Sequence, residues 1–204
     1  MPVITLPYGP LEANCYIVHN GTDAVVFDAA DHTASILNII KEQGLTLRAV
    51  ALTHLHIDHC LGSADLAKAT GLPVLAGAED WAERGLLLCK GMCFGMDLKP
   101  FEAEVLAPGE VTWGSLHCRV IHTPGHSPGS LCFYFPELEV IITGDLLFYR
   151  SVGRSDLPLG DSAALVRSLR EKIYTLPGAT VVYPGHGPET SIGYEAVHNH
   201  FCRA

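Results

Sequence analysis

Three imidazoles and a carboxylate fall within six residues of this chain, in the stretch Thr53-His54-Leu55-His56-Ile57-Asp58-His59. The apolar run Ala49-Val50-Ala51-Leu52 precedes it and reads as a buried strand. The cluster therefore stands where a strand leaves the core, with no helix expected to spread the side chains apart. Imidazole together with carboxylate is ligand chemistry for zinc, iron or manganese.

The arrangement recurs downstream. Arg119-Val120-Ile121-His122 leads into Thr123-Pro124-Gly125-His126, Val140-Ile141-Ile142-Thr143 into Gly144-Asp145, and Val181-Val182-Tyr183 into Pro184-Gly185-His186-Gly187. Each time an apolar strand ends, a tight turn of Gly or Pro follows, and a His or Asp appears. Strand ends on one sheet edge can converge on one place. The inventory is His54, His56, Asp58, His59, His126, Asp145 and His186. Such a set is too large for one tetrahedral ion and suits two ions sharing a water.

Composition bounds what such a site can serve. The chain has 204 residues, 48% hydrophobic and 17% charged, which is globular and expected to form one domain over 1–204. A net charge of −9 argues against nucleic acid, which needs a basic stripe. No apolar run reaches the length of a membrane span, and the N-terminus lacks the basic and apolar regions of a secretory signal. The seven cysteines are odd in number and irregular in spacing, so core thiols in a reducing cytoplasm are expected. Cys89 and Cys93, four apart on an expected helix, are the one pair with metal or redox spacing.

The remaining pattern is mixed. Strands are expected at 15–18 and 24–27 around the Asn20-Gly21 turn, then at 73–75, 104–106, 111–113, 117–122, 131–135, 140–143 and 180–183. Helices are expected over 33–43 ahead of Gly44, 61–69, 79–90, 161–174 with Asp161 as cap, and 189–201. Residues 91–102 read as a loop. Helices packed outside two β-sheets is the architecture this order supports, an α+β sandwich.

The order His-x-His-x-Asp-His, a His in Pro-Gly-His, an Asp in Gly-Asp and a last His resembles the signature of the metallo-β-lactamase fold superfamily. The resemblance implies a four-layer αββα sandwich with metals at one sheet edge. It also implies the ligand pairing: His54, His56 and His126 for one ion, Asp58, His59 and His186 for the other, and Asp145 as the bridge. Two divalent ions are implied, zinc first, with iron or manganese as alternatives. Thr123 to Ser130, Gly144 to Phe148, Ser151 to Asp156 and Pro184 to Thr190 are similar to the compact bacterial glyoxalase II branch. With the sequence ending soon after Phe201, the glutathione-binding C-terminal helical region of longer enzymes is not expected.

That branch implies hydrolysis of an anionic small-molecule thioester, S-2-hydroxyacylglutathione, by a hydroxide bridging the two ions, with Asp58 orienting the water. Arg154 is the candidate contact for a substrate carboxylate, against a structural ion pair with Asp156 or Asp161. Tyr149 is the candidate pocket wall, against simple packing. His122, near His126, is a candidate orienting group. Where the family commonly has Gly two places after the last His of its first motif, this chain has Leu61. Asp28-Ala29-Ala30-Asp31 replaces the usual Asp-Pro-Gly turn, and His200 stands where Pro is frequent. None of these removes a ligand. Rival readings are an iron-dependent persulfide dioxygenase using His54, His126 and Asp145 as a facial triad, a lactonase or β-lactamase, and a metal-binding protein without catalysis.

Overall fold

Alternation along the strands explains the layering. In the computed structural model, which describes residues 2–9, 11–31, 33–88 and 96–204, β2 (Ala13–His19) and β3 (Asp23–Phe27) are buried over almost their whole length. Successive side chains of a strand face opposite ways. Ile17 and Val26 therefore point to one side, into a cluster with Ile36, Ile40 and Leu66. Tyr16, Val18, Val25 and Phe27 point to the other, into a cluster with Phe133, Phe135, Val140 and Ile142. A sheet buried on both faces needs a helix layer on one side and a second sheet on the other.

The first sheet runs β1 (Val3–Tyr8), β2, β3, β4 (Thr46–Ala51), β5 (Val74–Ala76) and β6 (Ala103–Val105) in that order. Its outer face carries α1 (Thr33–Glu42) and, after the short α2 (Ile57–Cys60), α3 (Ser63–Thr70). α4 (Ala78–Ala82) and α5 (Arg84–Leu87) follow β5. The second sheet contains β7 (Gly109–Trp113), β8 (Leu116–His122), β9 (Leu131–Phe135) and β10 (Val140–Gly144). A two-stranded ribbon of β11 (Leu147–Phe148) and β12 (Ser151–Val152) follows, then α6 (Ser162–Ser168), β13 (Val181–Pro184), β14 (Thr190–Ser191) and α7 (Ile192–His198). The order in the second sheet is β14, β13, β10, β9, β8, β7. Its outer face buries Ile121, Cys132, Ile141 and Val182 against Leu165, Leu169, Ile173 and Ile192. The result is the expected αββα sandwich.

Several expectations need correction. β1 was not expected from the sequence. It is an edge strand, half exposed, where Pro7 is tolerated because that edge has no further partner. The helix expected over 79–90 breaks at Glu83 into α4 and α5, with Gly85 inside the second, and Lys90 lies outside the described residues. The last helix is confined to Ile192–His198, capped by Ser191. Asp161 does cap α6, accepting from the amides of Ala163 and Ala164 at 2.8 and 2.9 Å, but the helix widens into a π-turn over Leu169–Ile173. Among the described residues, no helix is long and apolar enough to cross a membrane.

Asp23 ties the two sheets at the end opposite the histidines. From β3 it accepts the Ser115 amide at 2.7 Å and the Ser115 hydroxyl at 2.5 Å, both in the β7–β8 turn, and Arg48 Nε at 2.6 Å. The Ser115 bonds, then Arg48, hold its carboxyl down at about 2. A folded-state pKa below the unfolded value stabilises above about pH 4, and the gain is lost as pH falls toward 2. The Asp23→Asn variant should therefore have a lower Tm than the parent at neutral pH, and the gap should close between pH 4 and 2. A gap unchanged across that window would rule this clamp out.

Candidate metal centre

Two backbone geometries distribute the first cluster. Residues 53–56 leave β4 through a bend at Thr53 as irregular backbone, and the His54 and His56 rings lie 4.7 Å apart. The chain then makes one helical turn, α2, which carries Asp58 and His59. This corrects the expectation that no helix spreads the cluster. The turn separates the side chains into two groups. His54, His56 and His126 place their ligand atoms within 4.8 Å of one another, and so do Asp58, His59 and His186.

Asp145 stands between the groups. Its Oδ2 is 3.5 Å from His126 Nε2 and 3.7 Å from His186 Nε2, and its Oδ1 is 3.5 Å from His59 Nε2. Asp58 Oδ2 is 3.3 Å from His186 Nε2 and 3.6 Å from His59 Nε2. The close approach depends on glycine. A side chain at Gly185 would strike Asp145 Oδ1 and the His59 ring, and Gly144, at φ +50°, leaves room for Thr53.

Four of the imidazoles are oriented through Nδ1. Thr53 Oγ1 donates to Asp28 Oδ2 at 2.7 Å, so toward His54 it acts as acceptor, receiving Nδ1–H at 3.0 Å. His59 Nδ1–H donates to Asp28 at 2.9 Å, His126 Nδ1–H to the Arg154 carbonyl at 2.7 Å, and His186 Nδ1–H to the Leu11 carbonyl at 3.0 Å. Each bond leaves an Nε2 lone pair aimed inward, the arrangement by which outer partners set metal-binding tautomers. His56 is turned the other way and presents Nδ1, 2.8 Å from His126 Nε2.

These orienting partners were the main omission of the sequence reading. Asp28, in a left-handed conformation at φ +51°, accepts the Thr53 amide at 2.7 Å besides the Thr53 hydroxyl and His59. Its oxygens are engaged, which makes it an orienter although it also lies close to His54 and His59. Asp80, fully buried, accepts the amides of Leu55 and Gly129 at 3.0 and 2.5 Å and the Ser127 hydroxyl at 2.8 Å. It joins the His54–His56 loop to the His126 loop. Asn14 Nδ2 donates to the carbonyls of Pro184 and Gly187, both at 3.0 Å, and fixes the His186 turn. The available signal was Asp28 at the end of a strand that neighbours the His-bearing one; nothing in the sequence marks Asp80 or Asn14.

The charges suit a cation. Burial drives His54 toward the neutral ring and lowers His56 to about 4, aided by neighbouring imidazoles. Burial also opposes charge on His59, but Asp145, Asp28 and Asp58 outweigh it and raise that ring to about 10. Burial opposes ionisation of Asp58 as well, yet His59 and His186 hold its carboxyl well below the usual carboxylate range. Carboxylates packed around an imidazole favour whatever positive charge can sit among them, proton or metal. His54 Nε2, His59 Nε2 and Asp145 Oδ1 are buried with no hydrogen-bond partner among the described residues. Orphaned buried polar atoms are costly and rare, and ions held between them would satisfy all three. The residues present therefore fit a pair of metal ions.

The other expectations divide. Arg154 borders the cavity over the cluster, but its side chain is the ion pair, with Nε and Nη2 each 2.8 Å from Asp156. Its carbonyl, not its guanidinium, serves the centre. Tyr149 is not among the residues lining that cavity; its ring stacks on Tyr194 at 5.6 Å, which is packing. His122 Nε2 donates to the Pro128 carbonyl at 2.8 Å and so braces the loop that bears His126. Cys60 is buried away from the ligand atoms in the core beneath α2. Cys89 and Cys93 lie outside the described residues.

Comparison with known proteins agrees with this geometry. The chain is 36% identical over 200 residues to the probable metallo-hydrolase YqgX of Bacillus subtilis, covering 96% of this chain and 95% of that one. It is 29% identical to hydroxyacylglutathione hydrolase GloC of Haemophilus influenzae, covering 100% and 99%. Among solved structures, the BLEG-1 B3 metallo-β-lactamase superposes with a TM-score of 0.86 at 34% identity, covering 99% and 100%. TTHA1623 in a di-iron-bound form superposes with a TM-score of 0.84 at 36% identity, covering 97% and 99%. The sequence profile of the metallo-β-lactamase superfamily matches residues 8–186. With the αββα layers, the paired ligand clusters and these relatives in agreement, the chain belongs to the metallo-β-lactamase superfamily of metal-dependent hydrolases, a fold that implies a dinuclear centre.

Proposed function

We propose that the protein is a thioester hydrolase whose centre holds two divalent ions, zinc first, and that S-D-lactoylglutathione is the substrate to try first. The observation that carries the reading is Asp145 standing between two three-ligand clusters, with Asp58, Asp145 and three of the imidazoles bordering a cavity of about 530 Å³. The hydroxyacylglutathione hydrolase name of the GloC relative supports the reaction class.

His54, His56 and His126 would hold one ion, Asp58, His59 and His186 the other, with Asp145 reaching both. Two divalent ions bound there lower the pKa of a water and polarise a carbonyl oxygen. The protein's own contribution is orientation. The Nδ1–H bonds to Thr53, Asp28, Arg154 and Leu11 hold four rings before any substrate arrives, so little reorganisation remains. Asp58, kept ionised, is an acceptor that can align an incoming water and take its proton.

A thiolate is a weak base and departs without a donated proton. An amine leaving group needs one. Outside the ligand set, the described lining offers aliphatic side chains and Arg154, none of which supplies a proton near neutral pH. A thioester therefore makes no demand for a proton donor beyond the ligand set. The described cysteines, Cys15, Cys60, Cys118, Cys132 and Cys202, are free thiols, which supports placing the protein in a reducing cytoplasm.

Purified protein with its metal content measured should cleave S-D-lactoylglutathione with two metals per chain. One iron per chain with O₂ uptake and no cleavage would replace this reading with a dioxygenase. His54→Ala and Asp145→Ala should each lose metal and activity together; retention of both in either variant contradicts the ligand assignment. Asp28→Asn keeps the shape but weakens the grip on His59 and Thr53. It should cost about 10- to 100-fold in metal affinity or rate while circular dichroism stays unchanged.

A further inference from the structure

The cavity over the metal centre has a wall that the hydrolytic chemistry does not require. Leu11, Ile57, Leu86, Met96, Leu157 and Pro158 line it together with the ligands. Leu86 and Leu11 are 54% and 40% exposed, so large aliphatic side chains are kept in water beside the reacting position. Exposed apolar surface gathered around a polar centre is characteristic of a ligand site.

The polar side of the wall is weak. Apart from the imidazoles, Arg154 is the one cationic side chain among the described residues lining the cavity. Its fork is joined to Asp156 by two 2.8 Å bonds, and the pair carries no net charge. A substrate carboxylate would have to displace Asp156 to reach it. Asp58 and Asp145 also border the cavity, and the positive charge that could draw an anion there is that of the ions they would hold, not of the wall. A carboxylate lodged against the described wall, away from the ligand cluster, finds no free cation among the described residues and costs free energy. Burying a methylene gains about three- to fourfold in affinity.

We propose that the arm of the substrate lodged in this cavity is apolar and uncharged, an aliphatic or aryl group, and not the carboxylate-bearing peptide of a glutathione thioester. The proposal rests on the hydrolase reading for the reaction and on the cavity wall for the substrate class. It keeps the bond that breaks and changes the group attached to it.

Two measurements on the metal-loaded protein test it. The first is calorimetric binding of uncharged N-acetyl-S-alkylcysteamine thioethers, ethyl to hexyl, which have no bond to hydrolyse. Kd should fall about three- to fourfold per methylene. Leu86→Gln and Leu157→Gln should flatten that trend at unchanged metal content. A Kd independent of chain length, or tighter binding of S-methylglutathione than of the hexyl thioether, would overturn the proposal. The second is hydrolysis of acetyl, butanoyl and hexanoyl thioesters of N-acetylcysteamine beside S-D-lactoylglutathione. The value of kcat/KM should climb with acyl length and exceed that for S-D-lactoylglutathione. The reverse ranking overturns the apolar arm and leaves the hydrolase reading standing. Cleavage of no thioester removes the hydrolase reading, and the thioether series then decides the apolar arm independently.

Discussion

The centre depends on one buried carboxylate. Asp28 accepts the Thr53 amide, the Thr53 hydroxyl and His59 Nδ1–H. These bonds couple the end of β3 to the loop after β4 and to the one-turn α2. They also fix the direction in which Thr53 offers its own lone pair, and thereby the tautomer of His54. Removing one acceptor would release two imidazoles, one from each cluster. Such hydrogen bonds are strong because burial removes water as a competitor, and for the same reason they are costly to leave half made.

The sandwich brings the remaining ligands to that place. β4 delivers the first motif from one sheet, while β8, β10 and β13 of the other sheet end in the turns that carry His126, Asp145 and His186. β10 and β13 run parallel, which brings Asp145 and His186 to the same edge. Asn14 and Tyr16 reach across from the first sheet to the Pro184 carbonyl at 3.0 and 2.6 Å. Asp80 joins the loop after β4 to the loop after β8 in the same way. The packed interior between the sheets, with Phe27 against Phe133 at 4.6 Å, makes these cross-sheet distances rigid.

Function divides along the same line as the cavity. The ligand floor defines the reaction, and it is made of groups whose tautomers and charges are held by neighbours. The described wall beside it is largely aliphatic, and the substrate class proposed above rests on that wall while the proposed reaction rests on the ligands.

Much of this was legible in the sequence because the signals are local. Short apolar runs bounded by turns mark strands, Asp161 ahead of an apolar helical face marks a cap, and His-x-His-x-Asp-His after a strand marks a ligand loop. The edge strand β1 and the break at Glu83 were not legible, since half-exposed edges and short helices carry little pattern. The sequence by itself determined which residue types could bind metal and an order of elements that puts helices outside two sheets, while the αββα layering was what the resemblance implied. Only the tertiary structure decided that Asp28, Asp80 and Asn14 hold the centre, that Arg154 serves it through its carbonyl, and that Tyr149 faces Tyr194. The reason is physical. A strand's period is set by neighbouring residues, whereas a buried hydrogen bond between positions 25 to 170 residues apart exists only once the chain has brought them together.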